Sequence, residues 1–150
     1  MNEDSDAPAF STRQLTPDRF RFWSHERLRN ADTDQFQHIN NAAIASFLEG
    51  GRMELFEAPA ISLSMEGFNV VVGRLVIEFH AEIFYPGDVN IGSTVTRIGR
   101  SSFEVLQGIF TDGTCVASAV ASCVLLQAGK PHVIPNDIRR HLLGDDGDAS

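Results

Sequence analysis

The chain is poor in cysteine, in lysine and in long apolar runs, and each shortage removes a class of protein. Its only cysteines are Cys115 and Cys123. They lie eight residues apart in a strand-like segment, which would hold them about 26 Å from each other, far beyond disulfide reach. Ala, Val and Ser flank both, with no adjacent His or second Cys, so neither a zinc site nor a redox pair is written there. They read as buried thiols. Lys130 is the single lysine among twelve basic residues. The others are Arg, whose planar fork suits a few local contacts to phosphate or carboxylate, and they are not gathered into the basic face that a nucleic acid needs. The formal charge of -8 is largely terminal: residues 1–17 contribute -2 and residues 144–150 contribute -3, leaving -3 for the body. No stretch approaches the roughly 20 apolar residues of a membrane span. The N-terminal MNEDSDAPAF lacks the positive start and apolar run of a secretory signal. A cytoplasmic protein with neither membrane nor nucleic-acid partner is the expectation.

What is present is enough apolar material, 43% of 150 residues, to build one core without disulfides or metals. Residues 1–17 and 144–150 are polar, acidic and punctuated by Pro, Gly and Ser, and read as flexible tails around a single domain over 18–143. That domain contains no internal repeat and no low-complexity linker. From Arg19 to Leu28, the aromatics Phe20, Phe22 and Trp23 stand among charges, the pattern of a first strand with one wet face. Ile44, Phe47, Leu48, Gly51 and Leu55 then recur at helical spacing and predict the principal helix from about Ala42 to Glu57. Asn40 or Asn41 can cap it, and Pro59 helps to stop it. Gly50 and Gly51 each cost such a helix about 1 kcal/mol relative to Ala, so another element must approach the backbone there.

After the helix the period changes to two. Val71, Gly73, Leu75, Ile77, Phe79, Ala81 and Ile83 alternate with mostly polar neighbours and predict a long strand reaching Tyr85, closed by a turn at Pro86-Gly87-Asp88. Val89 to Ile98 and Phe103 to Thr111 read as two more strands joined through Gly99 and Arg100, and Asp112-Gly113 as a hairpin turn. Cys115 to Leu126 forms the last long strand, with Ala117, Ala119 and Ala121 along one face. Gly129 and Pro131 break it, and Pro135 to Leu143 reads as a short final helix. One strand, one long helix and four strands in meander order make an α+β domain with the helix against one face of an antiparallel sheet. The other face needs cover, which predicts a homodimer or homotetramer.

The densest polar run is Arg29-Asn30-Ala31-Asp32-Thr33-Asp34-Gln35-Phe36-Gln37-His38-Ile39-Asn40-Asn41. Its Asp-Thr-Asp and His-Ile-Asn-Asn elements, followed by a helix carrying Phe-Leu-Glu and Arg52, resemble the 4-hydroxybenzoyl-CoA thioesterase group of acyl-CoA thioesterases. Later echoes occur in the family's order: Phe84-Tyr85-Pro86-Gly87-Asp88, the run from Thr96 to Phe103, Lys130-Pro131 and Ile134-Pro135. The resemblance covers roughly residues 20 to 142. It implies a hotdog fold, in which an antiparallel sheet wraps around one long central helix, and hydrolysis of an acyl-CoA thioester without metal or prosthetic group. It also implies that Asp34 is the catalytic carboxylate and that the backbone N–H of Asn41, seven residues on, polarises the substrate carbonyl. The chemistry is coherent by itself. A thioester carbonyl gathers negative charge when attacked, and a helix N-terminus offers free N–H groups and a positive dipole end. A carboxylate can attack directly or draw a proton from water, and the sequence leaves both routes open.

Relatives commonly carry Gly where this chain has Gln37, a residue for which positive φ is costlier. Gln37 can narrow the acyl pocket, hydrogen-bond the carboxylate or signal lost catalysis; because Asp34 and the His-Ile-Asn-Asn run persist, a working site is expected. The ordinary alternative for Asp34 is a loop carboxylate capping the coming helix. Asp32 reads as structural, bonding loop amides or pairing with Arg29. His38 is assigned to the site with a supporting role, and it would be the base of a rival hotdog enoyl-CoA hydratase or dehydratase. His25, His80, His132 and His141 show no metal-binding spacing. Glu49 is the fallback catalytic acid; its alternative is an exposed helix acid paired with Arg52. Asn40 and Gln37 are placed near the substrate. Arg97, Arg100, Ser101 and Ser102 at a strand turn are, by the resemblance, candidates to hold the phosphates of coenzyme A, the alternative being solvated turn residues. A third reading of the whole chain is a non-hydrolytic acyl-thioester binding protein.

Overall fold

The computed structural model describes residues 15–58 and 61–144. Residues 1–14 and 145–150, most of the two expected tails, and Pro59, the expected helix stop, lie outside the described residues. The principal helix, α1, runs Asn41–Phe56. Asn40 is its cap: the side-chain Oδ1 accepts the Ala43 N–H at 2.6 Å, satisfying one of the amides that a helix start leaves free. Ile44, Phe47, Leu48, Gly51 and Leu55 are all buried, as the spacing requires. The chain leaves α1 through a two-residue ladder of β2 (Glu57–Ala58) on β3 (Ile61–Ser62).

The main sheet is antiparallel throughout. Its strands are β1 (Phe22–Arg27), β4 (Phe68–Phe79), β5 (Asp88–Ile98), β6 (Ser102–Thr111), β7 (Thr114–Gln127) and β8 (Lys130–Pro131). They lie in the order β1-β5-β6-β7-β4, with β8 on β7. The sheet curls round α1 to give the hotdog architecture, and α1 packs on β1, β5 and β6. Two apolar clusters fill the concave side. Ile44, Phe47 and Leu48 meet Val89, Ile91, Ile109, Ala117 and Ala119, while Leu55 and Phe56 meet Phe103, Val105, Ala121 and Leu125 together with Ile138 and Leu142 of α2 (Asn136–Leu143). No helix among the described residues is long and apolar enough to cross a membrane.

Three expectations need correction. The first strand begins at Phe22, not Arg19, because Pro17–Arg19 forms a 3-10 turn and Phe20 swings to the convex side of the sheet. Phe20 lies there in a trough made by Gly92 and Gly108, which pair across β5 and β6. A Cβ on Gly92 would come within 2.6 Å of the Phe20 ring. With Leu15, Leu106, Phe110 and Cys115, Phe20 covers part of the convex face from within the chain. The long strand from Val71 ends at Phe79 rather than Tyr85. Val116 is an extra residue on β7, and its carbonyl takes both the His80 and Ala81 amides; the chain then leaves the ladder. Finally, Gly129 does not simply end β7. Ala128 and Gly129, at φ 51 and 77, turn the chain into the short β7–β8 hairpin.

Candidate active site

Residues 29–40 form a tightly bonded loop between β1 and α1. Asp32 is its buried anchor. The Asp32 carboxylate accepts the Arg29 guanidinium at 3.0 Å and the Arg29 backbone N–H at 3.0 Å, so the Arg29 hydrogen bond holds its carboxyl below the usual aspartate range. Its backbone oxygen takes the Asn40 N–H at 2.8 Å. Asp32 is thus the structural member of the Asp-x-Asp pair.

Two residues later, Asp34 stands at the surface. Its Oδ1 accepts the N–H groups of Phe36 at 2.8 Å and His38 at 3.1 Å, and its own N–H donates to the His38 carbonyl at 2.8 Å. The turn brings the chain back on itself, pairing Thr33 with Ile39. Gln37 sits at φ 66, the left-handed conformation that Gly adopts without strain, and its N–H donates to the Asp34 carbonyl oxygen at 3.1 Å. The side chain of Gln37 is exposed and takes no part in lining the adjacent cleft.

That cleft, about 290 Å³, is lined by Asp34, His38 and Ile39 of the loop, Asn41 and Ile44 of α1, and the segment from Phe79 to Ile83. The Ala43 amide is taken by the Asn40 side chain and the Ile44 amide by the Asn40 carbonyl, which, among the described residues, leaves those of Asn41 and Ala42 as the free donors of the first helical turn. The cleft therefore joins a carboxylate, the positive end of a helix and an apolar wall of Ile39, Ile44, Phe79 and Ile83. Two polar groups there were not singled out from the sequence as site residues. His80 Nε2 lies 2.9 Å from Ser118 Oγ. Glu82 Oε1 lies 3.3 Å from His38 Nδ1, while the His38 ring meets Phe84 edge-on with centroids 4.9 Å apart. Alternation through Ala81 and Ile83 resembles a continuing strand, so no local signal marks this crossing segment.

Glu49 is exposed on α1 and absent from the cleft lining. The anticipated pairing with Arg52 does not form, because Arg52 turns into the core and donates to Gln107 Oε1 at 3.0 Å. Burial pulls that guanidinium below its ordinary value. Gln107 in turn donates to the Leu48 carbonyl at 2.9 Å and Ser93 Oγ at 3.0 Å. Arg97 and Ser102 share a second cleft, of about 280 Å³, with Glu104 and Ser122. Arg100 and Ser101 do not line it; their carbonyls accept the Ile134 and Leu125 amides. Both cysteines are buried, and burial pushes the Cys123 thiol up to about 11. Among the described residues, no three His, Cys, Asp or Glu side chains gather as a metal ion would require.

Comparison with known proteins accords with this fold. Among solved structures, the chain is similar to a thioesterase from Thermus thermophilus complexed with coenzyme A and Zn (27% identity, TM-score 0.74, covering 82% of this chain and 98% of that one). A predicted thioesterase from Bacillus stearothermophilus is comparably similar (28%, TM-score 0.74, covering 83% and 95%). The PA5185 protein of Pseudomonas aeruginosa shares the fold at 19% identity and TM-score 0.77, covering 86% and 94%. No curated protein sequence matches. The family model described as the thioesterase-like superfamily matches residues 28–142, from the end of β1 through the site loop to the last helix, and the chain belongs to that superfamily of thioester hydrolases.

Proposed function

We propose that the protein is an acyl-CoA thioesterase in which Asp34 supplies the carboxylate and the Asn41 amide stabilises the developing oxyanion. The observation that carries this reading is that Asp34 and the first residue of α1 line one cleft. A substrate carbonyl lying over the helix N-terminus would accept from the free Asn41 N–H as its oxygen becomes anionic; a single such donor is worth about 10²- to 10³-fold in rate. Asp34 Oδ1 is held by two amides, so the second oxygen is the one available to attack the carbonyl carbon or to take a proton from water. The apolar wall suits an aryl or alkyl acyl group. Coenzyme A as carrier is supported by the Thermus relative, which was crystallised with it, and Arg97 and Ser102 in their shared cleft are the candidates for phosphate contact.

The working unit in this proposal is a homodimer. Strand β4 is at the edge of the sheet, and its Val71, Val72, Leu75 and Val76 remain 38–41% exposed. An edge strand with apolar side chains on both faces is a template for pairing with a second chain. Phe79, 45% exposed, belongs to both this strand and the cleft, so a partner there would wall the site.

Free-thiol release from a panel of aryl- and alkyl-CoA esters tests the reading. Asp34→Ala and Asp34→Asn are both expected to lose activity by at least about 10²-fold, with Asp34→Asn, which keeps the Oδ1 acceptor for the Phe36 and His38 amides, retaining the native circular dichroism and melting behaviour. Undiminished turnover in either variant refutes the assignment. The His38–Glu82 contact is the one feature that also fits an enoyl-CoA hydratase, and hydration of an enoyl-CoA that survives Asp34→Ala would establish that rival.

A further inference from the structure

Glu82 has no place in the mechanism so far, yet its carboxylate reaches the imidazole of the site loop. Its Oε1 lies 3.3 Å from His38 Nδ1. Two further contacts hold the ring in that orientation: the edge-on packing against Phe84 and the bridge between the His38 and Phe84 backbones. The Ile39 N–H donates to the Ile83 carbonyl at 2.8 Å, locking the register of the loop against the segment that carries Glu82. The titratable groups sharing this cleft with His38 are Asp34, His80 and Glu82; Glu82 is the one in reach of Nδ1, and His80 Nε2 is engaged with Ser118.

We propose that Glu82 is a positioning residue for thioester hydrolysis. By drawing the Nδ1 proton of His38 toward its carboxylate across the 3.3 Å ion-pair contact, it favours the tautomer whose Nε2 carries a lone pair, and so makes His38 the proton carrier of the site. This inference rests on the thioesterase reading above and selects its nucleophilic route. A carboxylate oxygen bonded to the acyl carbon cannot also take the proton of the attacking water, so a second base is required. In the first half, an Asp34 oxygen bonds the acyl carbon, the C–S bond breaks, and its electron pair leaves on sulfur. In the second half, water attacks the acyl carbon of the mixed anhydride and gives one proton to His38 Nε2. The carbon–oxygen bond to Asp34 breaks, regenerating the carboxylate. The thiolate departs at the end of the first half and takes its proton from solvent, the Nε2 proton returns to solvent after the second, and the balance is thioester plus water to acid plus thiol. The imidazole returns to the Nδ1–H form that the Glu82 carboxylate favours.

Glu82→Ala and Glu82→Gln separate positioning from structure. Glu82 is well exposed, so both variants should fold. In Glu82→Ala, kcat is expected to fall about tenfold or more, a part of the roughly 10²- to 10⁴-fold that a positioned base contributes, with KM falling in the same proportion, because kcat/KM reports only the unimpaired first half. A rapid-mixing trace should still show one equivalent of thiol per site before the slow phase, because only the second half is impaired. Glu82→Gln keeps a carbonyl acceptor for Nδ1–H and should recover much of the loss. Long-range 1H–15N spectra of the His38 ring report the tautomer without any substrate: Nδ1–H in the native protein and in Glu82→Gln, shifting toward Nε2–H in Glu82→Ala. An active native enzyme with unchanged kcat or unchanged tautomer in Glu82→Ala overturns the inference, as does loss of the thiol burst together with turnover. A native enzyme silent on every ester is a different failure, that of the thioesterase site itself, and the tautomer spectra still judge the Glu82 contact.

Discussion

Adjacent glycines in α1 are expected to respond to the same substitution with opposite signs. In an exposed helix interior, Gly→Ala gains about 1 kcal/mol, because Ala loses less backbone freedom on folding. A Cβ at Gly50 would find only Glu26 Oε1, at 3.5 Å, the mobile end of a side chain at ordinary contact distance, so Gly50→Ala should realise most of that gain. A Cβ at Gly51 would come within 2.8 Å of Ile91 Cγ2, 3.0 Å of Gln107 Nε2 and 3.3 Å of Ser93 Oγ. None of these can retreat cheaply. Ile91 and Gln107 are fully buried, and the Gln107 amide is fixed by Leu48, Ser93 and Arg52. Overpacking at such a place costs about 1–3 kcal/mol, and each buried hydrogen bond displaced adds about 1 kcal/mol. Gly51→Ala should therefore lose about 1–2 kcal/mol net of its helical gain, putting the two variants about 2–3 kcal/mol apart. Urea unfolding at one fixed protein concentration measures this. With a slope of about 1–3 kcal/mol per molar, the midpoints should differ by roughly 1 M. Equal midpoints, or a stabilised Gly51→Ala, would show that the sheet does not press on the helix as described.

Two other perturbations follow from backbone and charge. Ala128 occupies a left-handed conformation at the first turn position of the β7–β8 hairpin, φ 51, where Asn is tolerated far better; Ala128→Asn should raise stability by about 0.5–1 kcal/mol, and an unchanged urea midpoint would count against that turn. Asp32 has a folded-state pKa depressed by Arg29, so its contribution is complete above the ordinary aspartate value of about 3.9 and is lost as pH falls through the lower folded value. Asp32→Asn should accordingly destabilise the protein at pH 6 and flatten its stability loss below about pH 4, and a native acid-unfolding slope retained in the variant would refute the assignment.

The features legible in the sequence are those that repeat or lie close together in the chain. The α1 stripe was readable because Ile44, Phe47, Leu48 and Leu55 answer to one helical period, and β5, β6 and β7 because alternation persists over many residues. The loop from Asp32 to Asn41 stood out through its polar density and its resemblance to the thioesterase pattern, and the Asp34 carboxylate within it bonds near neighbours in sequence, Phe36 and His38. What escaped depends on contacts between distant segments. Apolar pattern reports that a side chain is buried, not what buries it. Ile83 keeps the strand-like rhythm and is indeed buried, but in the cluster with Leu28, Ile39 and Ala43, at the loop and the start of α1. The switch from sheet to crossing segment after Phe79 is therefore silent in composition, and with it the arrival of His80 and Glu82 beside Asp34. Arg52 was hidden for the complementary reason. A charged residue one place after the stripe position Gly51 reads as solvent-facing, and the amide that receives it in the core, that of Gln107, lies 55 residues away in the sequence. The turn that holds the proposed nucleophile is thus specified by near neighbours in sequence, whereas the residue proposed to orient its proton carrier is specified by register. Substitutions that shift the Ile39–Ile83 register should then impair the hydrolytic half without moving Asp34 relative to α1.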